Sequence, residues 1–429
     1  MNRKKTIVTC AITLLVMSAL AAIDLTVEDA VDKAVTGSLS LQSASIDLAI
    51  SEQEMSHSWN GLLPTVQASG SLSRMNKGTT YMGVTSDPTG VLAFGLSFSW
   101  AFTPALITNM KLAEQQYAAG EITWEETIAQ LKRDVKKLFY AILLQQKSVA
   151  LQEQTLANTK ERMDQATMLY NQGYATELTM LQAQVGYENL KATVLKQQQA
   201  IAQQKRNFAF LLGLDPDEPI TLIGEIEPEF KTIDAKKCLA SIPSRYDVQS
   251  LNAQMTLLDT QKKLIDQKSY IPTISIAASW SPCLSDITGD WKSDNWGDNG
   301  SVRIAFGWDL TGMLPFSSTR QSARKIEQNR QKLSVNLALV QANAKLELTK
   351  LLDTLSQAEE AITSSERSIA LAKKSYEMTE EAYKQGTKEL LDVKDSEQQL
   401  NQAELGKLQE QYNYLSALLD LEYAMRETI

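Results

Sequence analysis

The sequence is poor in the residues on which most enzyme active sites depend. Its 429 residues include one histidine, His57, and three cysteines, and this scarcity excludes most histidine-based catalysis and zinc chemistry. Cys238 and Cys283 lie in a predicted linker and a predicted loop, so no disulfide is expected. A glycine-rich phosphate-binding loop with a lysine is also missing. Glu125 and Glu126 form a carboxylate pair, but on a predicted coiled helix such a pair is usually a solvated face. We therefore expect no enzyme, no cofactor and no metal site.

Long apolar runs are missing as well, because beyond the N-terminus no stretch reaches about 18 consecutive apolar residues, as a membrane-spanning helix needs. The N-terminus combines basic residues at 3–5, a short apolar stretch and small residues near position 21. This pattern predicts a secretory signal peptide over residues 1–21, and an uncleaved anchor is the alternative. The whole chain has a formal net charge of −9. Nucleic-acid binding is therefore not expected, because it usually requires a basic surface.

Short motifs recur in the same order in the two halves of the chain. The recurring pairs are Leu-Pro-Thr-Val at 63–66 and Ile-Pro-Thr-Ile at 271–274, Phe-Ser-Trp at 98–100 and Phe-Gly-Trp at 306–308, and Tyr-Asn-Gln-Gly at 170–173 and Tyr-Lys-Gln-Gly at 383–386. Such recurrence indicates an internal duplication. We predict two repeats at 22–213 and 244–429, joined by a linker at 214–243 that is rich in proline.

Each repeat predicts the same order of elements: a helix, two strands, a very long helix, a sharp break and a last helix. The first helix is predicted over about 27–59. Neither Glu121–Gln172 nor Phe316–Gln385 contains glycine or proline. Helices of roughly 50 to 70 residues would be about 75 to 105 Å long. Apolar residues at heptad spacing, for example between residues 348 and 376, predict that these helices pack as coiled coils.

Four segments alternate apolar residues with polar or small ones, which is the pattern of strands with one apolar face. They are 64–74 and 91–102 in the first repeat, and 271–281 and 301–311 in the second. Each is close to the length of a tilted transmembrane strand, and Trp100 and Trp308 lie near strand ends, as interfacial aromatic residues do. Four strands cannot close a membrane barrel alone, so the chain must oligomerise to pair its strand edges. A soluble two-sheet sandwich is the alternative.

This order of parts resembles the TolC-like outer-membrane efflux protein family (outer membrane factors) over nearly the whole chain after residue 21. The two helix breaks, at 173–184 and 386–397, carry the resemblance most specifically. The resemblance implies a mainly α-helical homotrimer with a small membrane β-barrel. Four strands per chain would form one shared 12-stranded barrel in outer-membrane lipid, and long coiled-coil hairpins, with tips near residues 173 and 386, would extend through the periplasm. It implies passive exit for substrates that an inner-membrane efflux pump or secretion ATPase delivers through a periplasmic adaptor (membrane fusion protein).

The resemblance also implies a pore constriction at the second tip. Asp392 and Asp395 occupy the positions of two aspartates that, in the family, face a narrow opening, where three copies would form a carboxylate ring that binds cations. The alternative is an ordinary helix start, at which the helix dipole favours aspartate. Gly173 and Gly386 match the glycines of the two tips, where a glycine ends one helix and permits a tight reversal.

The resemblance further assigns gating and adaptor docking to the tips. Tyr383 and Lys388 match positions that, in the family, lock the tip through links to the first hairpin. Lys388 is an arginine in the family, and Thr179 stands at the acidic partner position, so this link departs from the pattern. Glu177 is another candidate for holding the closed state.

A periplasmic coiled-coil adaptor or scaffold without a pore is the alternative function. Such a protein would not need four strands of membrane-crossing length, placed in pairs in two repeats. It would also be extracted by salt without detergent, whereas a membrane protein would not.

Overall fold

The computed structural model describes residues 23–74, 80–81, 84–85, 90–284, 287, 291–292, 296–298 and 300–429. The predicted signal peptide at 1–21 lies outside the described residues. Within them the fold is mainly helical with a minority of strands, as the sequence predicts. The described helices are α1 (Val27–Gly37), α2 (Leu39–Ser56), α3 (Pro104–Asn171), α4 (Glu177–Leu211), α5 (Ala235–Ala240), α6 (Tyr246–Tyr270), α7 (Ser318–Lys384) and α8 (Leu390–Met425).

The strands range from two to 13 residues, and most belong to one sheet. They are β1 (Ile23–Leu25), β2 (Thr65–Arg74), β3 (Thr80–Tyr81), β4 (Val84–Thr85), β5 (Gly90–Phe102), β6 (Ile220–Leu222), β7 (Thr273–Trp280), β8 (Pro282–Leu284), β9 (Trp296–Asp298) and β10 (Ser301–Gly307). Short 3-10 helices cover Ser58–Leu62, Ile242–Ser244 and Leu310–Met313.

The chain folds into two compact units. The first unit comprises Met1–Ser45, Trp124–Val248 and Val340–Ile429, and the second comprises Ile46–Thr123 and Gln249–Leu339. The first therefore holds the two helix breaks, and the second holds the large sheet.

The two longest helices are α3 with 68 residues and α7 with 67 residues. α3 begins at Pro104, whose fixed φ suits a first helical position. It continues through Gly120, where an added Cβ would meet the Leu48 side chain at 3.4 Å. None of the helices among the described residues has the length and apolar character that a membrane crossing requires.

The core of the first unit consists of two clusters. The first gathers α1, α3 and α4 around the short parallel pair of β1 and β6, with the rings of Phe139 and Phe208 6.3 Å apart. The second packs Leu348, Leu355 and Ile362 of α7 against α8. These three residues recur at heptad spacing, so they lie on one face of α7, as coiled-coil packing requires.

The large sheet of the second unit has the order β2, β5, β7, β10, and each neighbouring pair is antiparallel. β8 also pairs with β5, and β9 pairs with β8. Among the described strands, β2 pairs only with β5, and β10 pairs only with β7. Both outer strands therefore keep one edge of unpaired backbone groups.

The sheet has one apolar face and one face of polar and small residues. One row across the strands is Val66, Phe98, Ala278 and Val302, and the adjacent row is Gln67, Ser97, Ser279 and Ser301. Large apolar side chains on the first face are exposed to solvent in the single chain, among them Val66, Leu72, Val302, Ile304 and Phe306. An exposed apolar surface of this size indicates that something else covers it.

Two segments differ from the predicted elements. The predicted helix over about 27–59 is divided at Ser38, which is extended with φ −64° and ψ 122°. Gly37 approaches the Leu212 carbonyl oxygen so closely that an added Cβ would lie 2.6 Å from it, so packing sets this break. The fourth strand ends at Gly307, because Asp309 accepts a hydrogen bond from the backbone N–H of Thr311 and starts a 3-10 helix.

Candidate functional site

The first helix break of the first unit is a Schellman turn built around Gly173. The Gly173 N–H donates to the Tyr170 carbonyl at 2.9 Å, and the Tyr174 N–H donates to the Leu169 carbonyl at 2.8 Å. Gly173 has φ +80°, which an L side chain rarely adopts. The two bonds satisfy carbonyl groups that the end of α3 would otherwise leave unpaired, so this turn ends the helix.

The second break repeats this geometry at Gly386. Its N–H donates to the Tyr383 carbonyl at 2.8 Å, the Thr387 N–H donates to the Ala382 carbonyl at 2.9 Å, and φ of Gly386 is +74°. The next helix, α8, has Glu389 as its N-cap in a capping box with Asp392. Both reversals therefore follow from a glycine at the helix end and a capping residue shortly after it.

The two aspartates of the second tip have different surroundings. The Asp392 Oδ2 accepts the backbone N–H of Glu389 at 3.2 Å and lies 3.4 Å from the Lys388 Nζ. Asp395 is exposed and makes no hydrogen bond or ion pair within the part of the chain that is described. Asp392 thus has a capping function of its own, whereas the Asp395 carboxylate remains available to other groups.

Two further tip residues make only local contacts. Thr179 is exposed, and its hydroxyl lies 2.9 Å from the hydroxyl of Thr176, the N-cap of α4. Tyr383 contributes its backbone carbonyl to the second turn. Neither side chain makes a hydrogen bond or a ring contact with the opposite tip among the described residues. Lys388 likewise bonds within its own hairpin, so no direct link joins the tip turns in the described part of this chain.

A buried polar cluster joins the two hairpins about three helical turns from the turn glycines. The Arg162 Nη1 of α3 lies 2.5 Å from the Glu397 Oε2 of α8, and the Asn158 Nδ2 donates to the Glu397 Oε1 at 2.8 Å. The Arg162 Nη2 also lies 3.4 Å from the Tyr376 hydroxyl of α7. The exposed fractions of the Glu397 and Arg162 side chains are only 7% and 17%. Burial raises the pKa of Tyr376, and the Glu397 carboxylate adds to this shift.

Further polar contacts continue along the antiparallel α3–α8 pair. The Asn401 Nδ2 donates to the Thr155 Oγ1 at 2.9 Å, and the Lys137 Nζ donates to the Asp420 Oδ2 at 2.8 Å. Polar contacts of this kind accompany the apolar packing of Tyr412 and Leu415 of α8 against the cluster that contains α3. Buried polar contacts of this kind add little net stability, and their main effect is to set the register between the two helices.

A ladder of arginines and tyrosines ends the pair at the start of α6. The Arg426 Cζ lies 3.9 Å from the centre of the Tyr246 ring, and the Arg133 Cζ lies 4.4 Å from the centre of the Tyr423 ring. The two tyrosine rings are 6.1 Å apart. Burial, together with the nearby Glu126 carboxylate, raises the pKa of Tyr423 to about 12. The ladder holds α3, α6 and α8 together through cation–π contacts.

The first tip also presents exposed apolar side chains. Tyr174 in the turn and Leu178, Leu181 and Val185 of α4 are all large exposed residues, and the spacing of three and four between the last three is that of a coiled-coil seam. An unpaired seam of this kind can accept the apolar face of another helix.

No local sequence pattern indicates the Arg162–Glu397 contact. The two residues are 235 positions apart, and each looks like one of many charges on a long helix. The available signal is indirect, because the matched tips at 173 and 386 bring the end of α3 beside the start of α8. With that alignment, residues at equal distances from the two glycines become candidates for contact.

The comparisons with known proteins concern the family and the fold. Residues 30–214 match the model of the family described as "Outer membrane efflux protein", which confirms the resemblance stated from the sequence. The comparison with curated protein sequences found no significant match.

Several solved structures share the fold over most of the chain. The outer membrane channel CmeC of Campylobacter jejuni is 16% identical with a TM-score of 0.81, covering 93% of this chain and 85% of that one. The outer membrane protein VceC of Vibrio cholerae is 17% identical with a TM-score of 0.77, covering 93% and 95%. The open state of the MtrE outer membrane channel of Neisseria gonorrhoeae is 17% identical with a TM-score of 0.75, covering 94% and 89%. At these identities the likeness shows the fold.

Proposed function

We propose that this chain is one of three identical subunits of an outer-membrane channel with a long periplasmic tunnel. The channel gives passive exit to substrates that an inner-membrane efflux pump or secretion ATPase delivers through a periplasmic adaptor. The observation that carries the proposal is the sheet of the second unit, which has an exposed apolar face, a polar face and two outer edges that no described strand pairs with. The family match supports the same conclusion, because that family is one of transport proteins and not of enzymes.

The unpaired edges call for further copies of the chain. All neighbouring strands of the sheet are antiparallel, so β2 and β10 run in opposite directions. The β10 edge of one copy can therefore pair in antiparallel fashion with the β2 edge of the next, and no edge remains when the ring closes. Three copies supply 12 strands, with the apolar faces turned to outer-membrane lipid and the polar faces to the lumen.

The constriction lies at the second tip, where three copies bring Asp392 and Asp395 around a narrow opening. Six carboxylates so placed attract cations and can hold a multivalent one. Asp395 contributes more of this field, because Lys388 already partly neutralises Asp392. The turn glycines Gly173 and Gly386 set the shape of the opening.

The Arg162–Glu397 pair keeps the two hairpins of each subunit in register near the opening. Among the described residues, Thr179, Tyr383 and Lys388 make no hydrogen bond or ion pair between the hairpins, so the buried pair is the polar link between hairpins that lies nearest to the tips. Opening of the tunnel then requires either movement of both hairpins as one body or loss of this pair. The adaptor docks at the tips, where the seam from Leu178 to Val185 offers an apolar surface to a helix.

Membrane extraction and conductance together test the proposed function. The full chain is expected in the membrane fraction, released by detergent and not by salt, and it should give stepwise conductance in planar bilayers. Release by salt alone, or the absence of conductance, would favour the adaptor or scaffold function.

Two neighbouring residues provide a matched pair of variants for the sheet. Ile304 lies on the apolar face and Ala305 on the polar face. Ile304→Lys should reduce insertion strongly, because a lysine on the lipid face costs about 2 to 4 kcal/mol near the bilayer midplane. Ala305→Lys should insert normally. Equal behaviour of the two variants would contradict the proposed orientation of the sheet.

A further inference from the structure

The polar face of the large sheet is almost uncharged. Its rows contain serine, threonine, glutamine, alanine, glycine and one valine, with a single exception in β10. The row in question consists of Thr65, Ser99, Ala277 and Arg303, which the strand register places side by side. Arg303 is the one charged side chain on this face among the described residues of β2, β5, β7 and β10.

The described residues include no structural partner that would explain Arg303. It is exposed and makes no hydrogen bond or ion pair among the described residues, and its cross-strand neighbour is Ala277. The described carboxylates at the two ends of β10 are engaged in turns. The Asp298 Oδ1 accepts the Gly300 N–H at 2.9 Å, and the Asp309 Oδ1 accepts the Thr311 N–H at 3.0 Å.

A guanidinium keeps its charge at every relevant pH and binds carboxylates and phosphates in bidentate fashion. Small neighbours leave it free to extend away from the strand, since only hydroxyl and methyl side chains surround it. A charge that has no partner in the described part of its own chain is best explained by the molecules that pass it.

We infer that Arg303, with its counterparts in the two other copies, forms a cationic ring in the strand region that favours the passage of anionic solutes. The inference rests on the proposed function, because only a shared barrel places three copies of this face around one lumen. It assigns opposite charges to two regions of the route, with carboxylates at the helix tips and guanidinium groups in the strand region.

The expected size of the effect follows from Coulomb attraction with salt screening. For three guanidinium groups on the order of 10 Å from the axis, the local ratio of monovalent anions to cations rises by about fivefold at 0.1 M salt and by about twentyfold at 0.01 M salt. The permeability ratio of the whole channel is smaller, because the ring occupies a short part of the route. It should still exceed one and increase as the salt concentration falls.

The experiment measures the zero-current potential of the full-length channel in planar bilayers across a potassium chloride gradient. The cation preference of the tip carboxylates would mask the anion preference of the Arg303 ring. All variants are therefore made in the Asp392→Ala/Asp395→Ala background, which serves as the parent. In this parent we expect chloride to permeate better than potassium. Arg303→Gln should bring the permeability ratio to about one, and Arg303→Lys should retain most of the anion preference.

Moving the positive charge to another residue of the same row tests whether the charge of Arg303, and not the shape of its side chain, sets the selectivity. Ser99 lies in the same row of the same face, so Ser99→Arg added to Arg303→Gln should restore the anion preference. If Arg303→Gln does not assemble, Ser99→Glu with Arg303 intact should lower the preference instead. If the channel conducts but its selectivity does not change in these variants, the inference about Arg303 is wrong and the proposed function is unaffected. A parent that forms no channel overturns the proposed function and the inference with it.

Discussion

Replacing Glu397 with glutamine removes one charge from the buried pair with Arg162 while keeping the side-chain shape and one amide oxygen for Asn158. The exposed fractions of the two charged side chains, 7% and 17%, leave little water to solvate the remaining guanidinium. Breaking a buried pair by removing one partner costs about 3 to 5 kcal/mol. We therefore expect the free energy of local opening between α3 and α8 to fall by about 3 kcal/mol or more.

Hydrogen exchange of backbone amides, followed by mass spectrometry, measures this opening directly. A loss of about 3 kcal/mol corresponds to exchange that is faster by about two powers of ten in α8 around residue 397. Glu366 provides a matched control, because its ion pair with Lys407 also joins two helices, with a distance of 3.0 Å, but the Glu366 side chain is 57% exposed. Glu366→Gln should change local exchange by less than about tenfold.

Replacing both members of the pair tests whether the loss of stability comes from the unpaired charge. The Arg162→Met/Glu397→Met variant leaves no unpaired charge, so its exchange should return towards that of the original chain. Equal acceleration of exchange by Glu397→Gln and Glu366→Gln would refute this reasoning.

Three other predictions concern the tips and the arginine–tyrosine ladder. Asp392→Ala/Asp395→Ala should abolish block by trivalent cations in planar bilayers, and unchanged block would exclude the carboxylate ring. Gly173→Ala and Gly386→Ala should each lower the free energy of unfolding by about 1 kcal/mol. The cause is the positive φ alone, because an added Cβ meets nothing within 4 Å. An unchanged melting temperature would contradict this prediction. The folded pKa of Tyr423 of about 12 exceeds its unfolded value, so its contribution to stability is complete below about pH 10 and is lost as the pH rises towards 12. Denaturation midpoints across this range should show the loss, and Tyr423→Phe should reduce it.

Local sequence patterns predicted much of the fold, because helix packing faces, helix ends and strand faces depend on residues that are close together in the sequence. The heptad spacing of Leu348, Leu355 and Ile362 requires a partner helix, and these residues are buried against α8. The glycines at 173 and 386 have the positive φ that a tight helix end requires. Alternation in the fourth strand segment predicts that Arg303 lies on the polar face, and the register of β10 with β7 places it there, opposite Ala277.

Features that depend on tertiary packing could not be predicted in this way. The break at Ser38 arises from the approach of Gly37 to the Leu212 carbonyl oxygen, which no local pattern records. The Arg162–Glu397 contact depends on the alignment of two hairpins that are far apart in the sequence. The apolar and polar alternation also continues past Gly307, although the Asp309 turn ends the strand there.

The assignment of the carboxylate ring to a pore constriction stays a prediction. The local surroundings of Asp392 and Asp395 are set within one chain, whereas a ring depends on their distances to the same residues in other copies. The two repeats at 22–213 and 244–429 also stay a prediction, since the compact units divide the chain differently.

Electron microscopy of the detergent-extracted protein is the decisive measurement for the proposed trimeric channel. We expect a hollow particle with three-fold symmetry that contains a barrel formed by the sheets and a helical tunnel. A compact globule or a solid rod without three-fold symmetry would contradict the channel and would favour the adaptor or scaffold function.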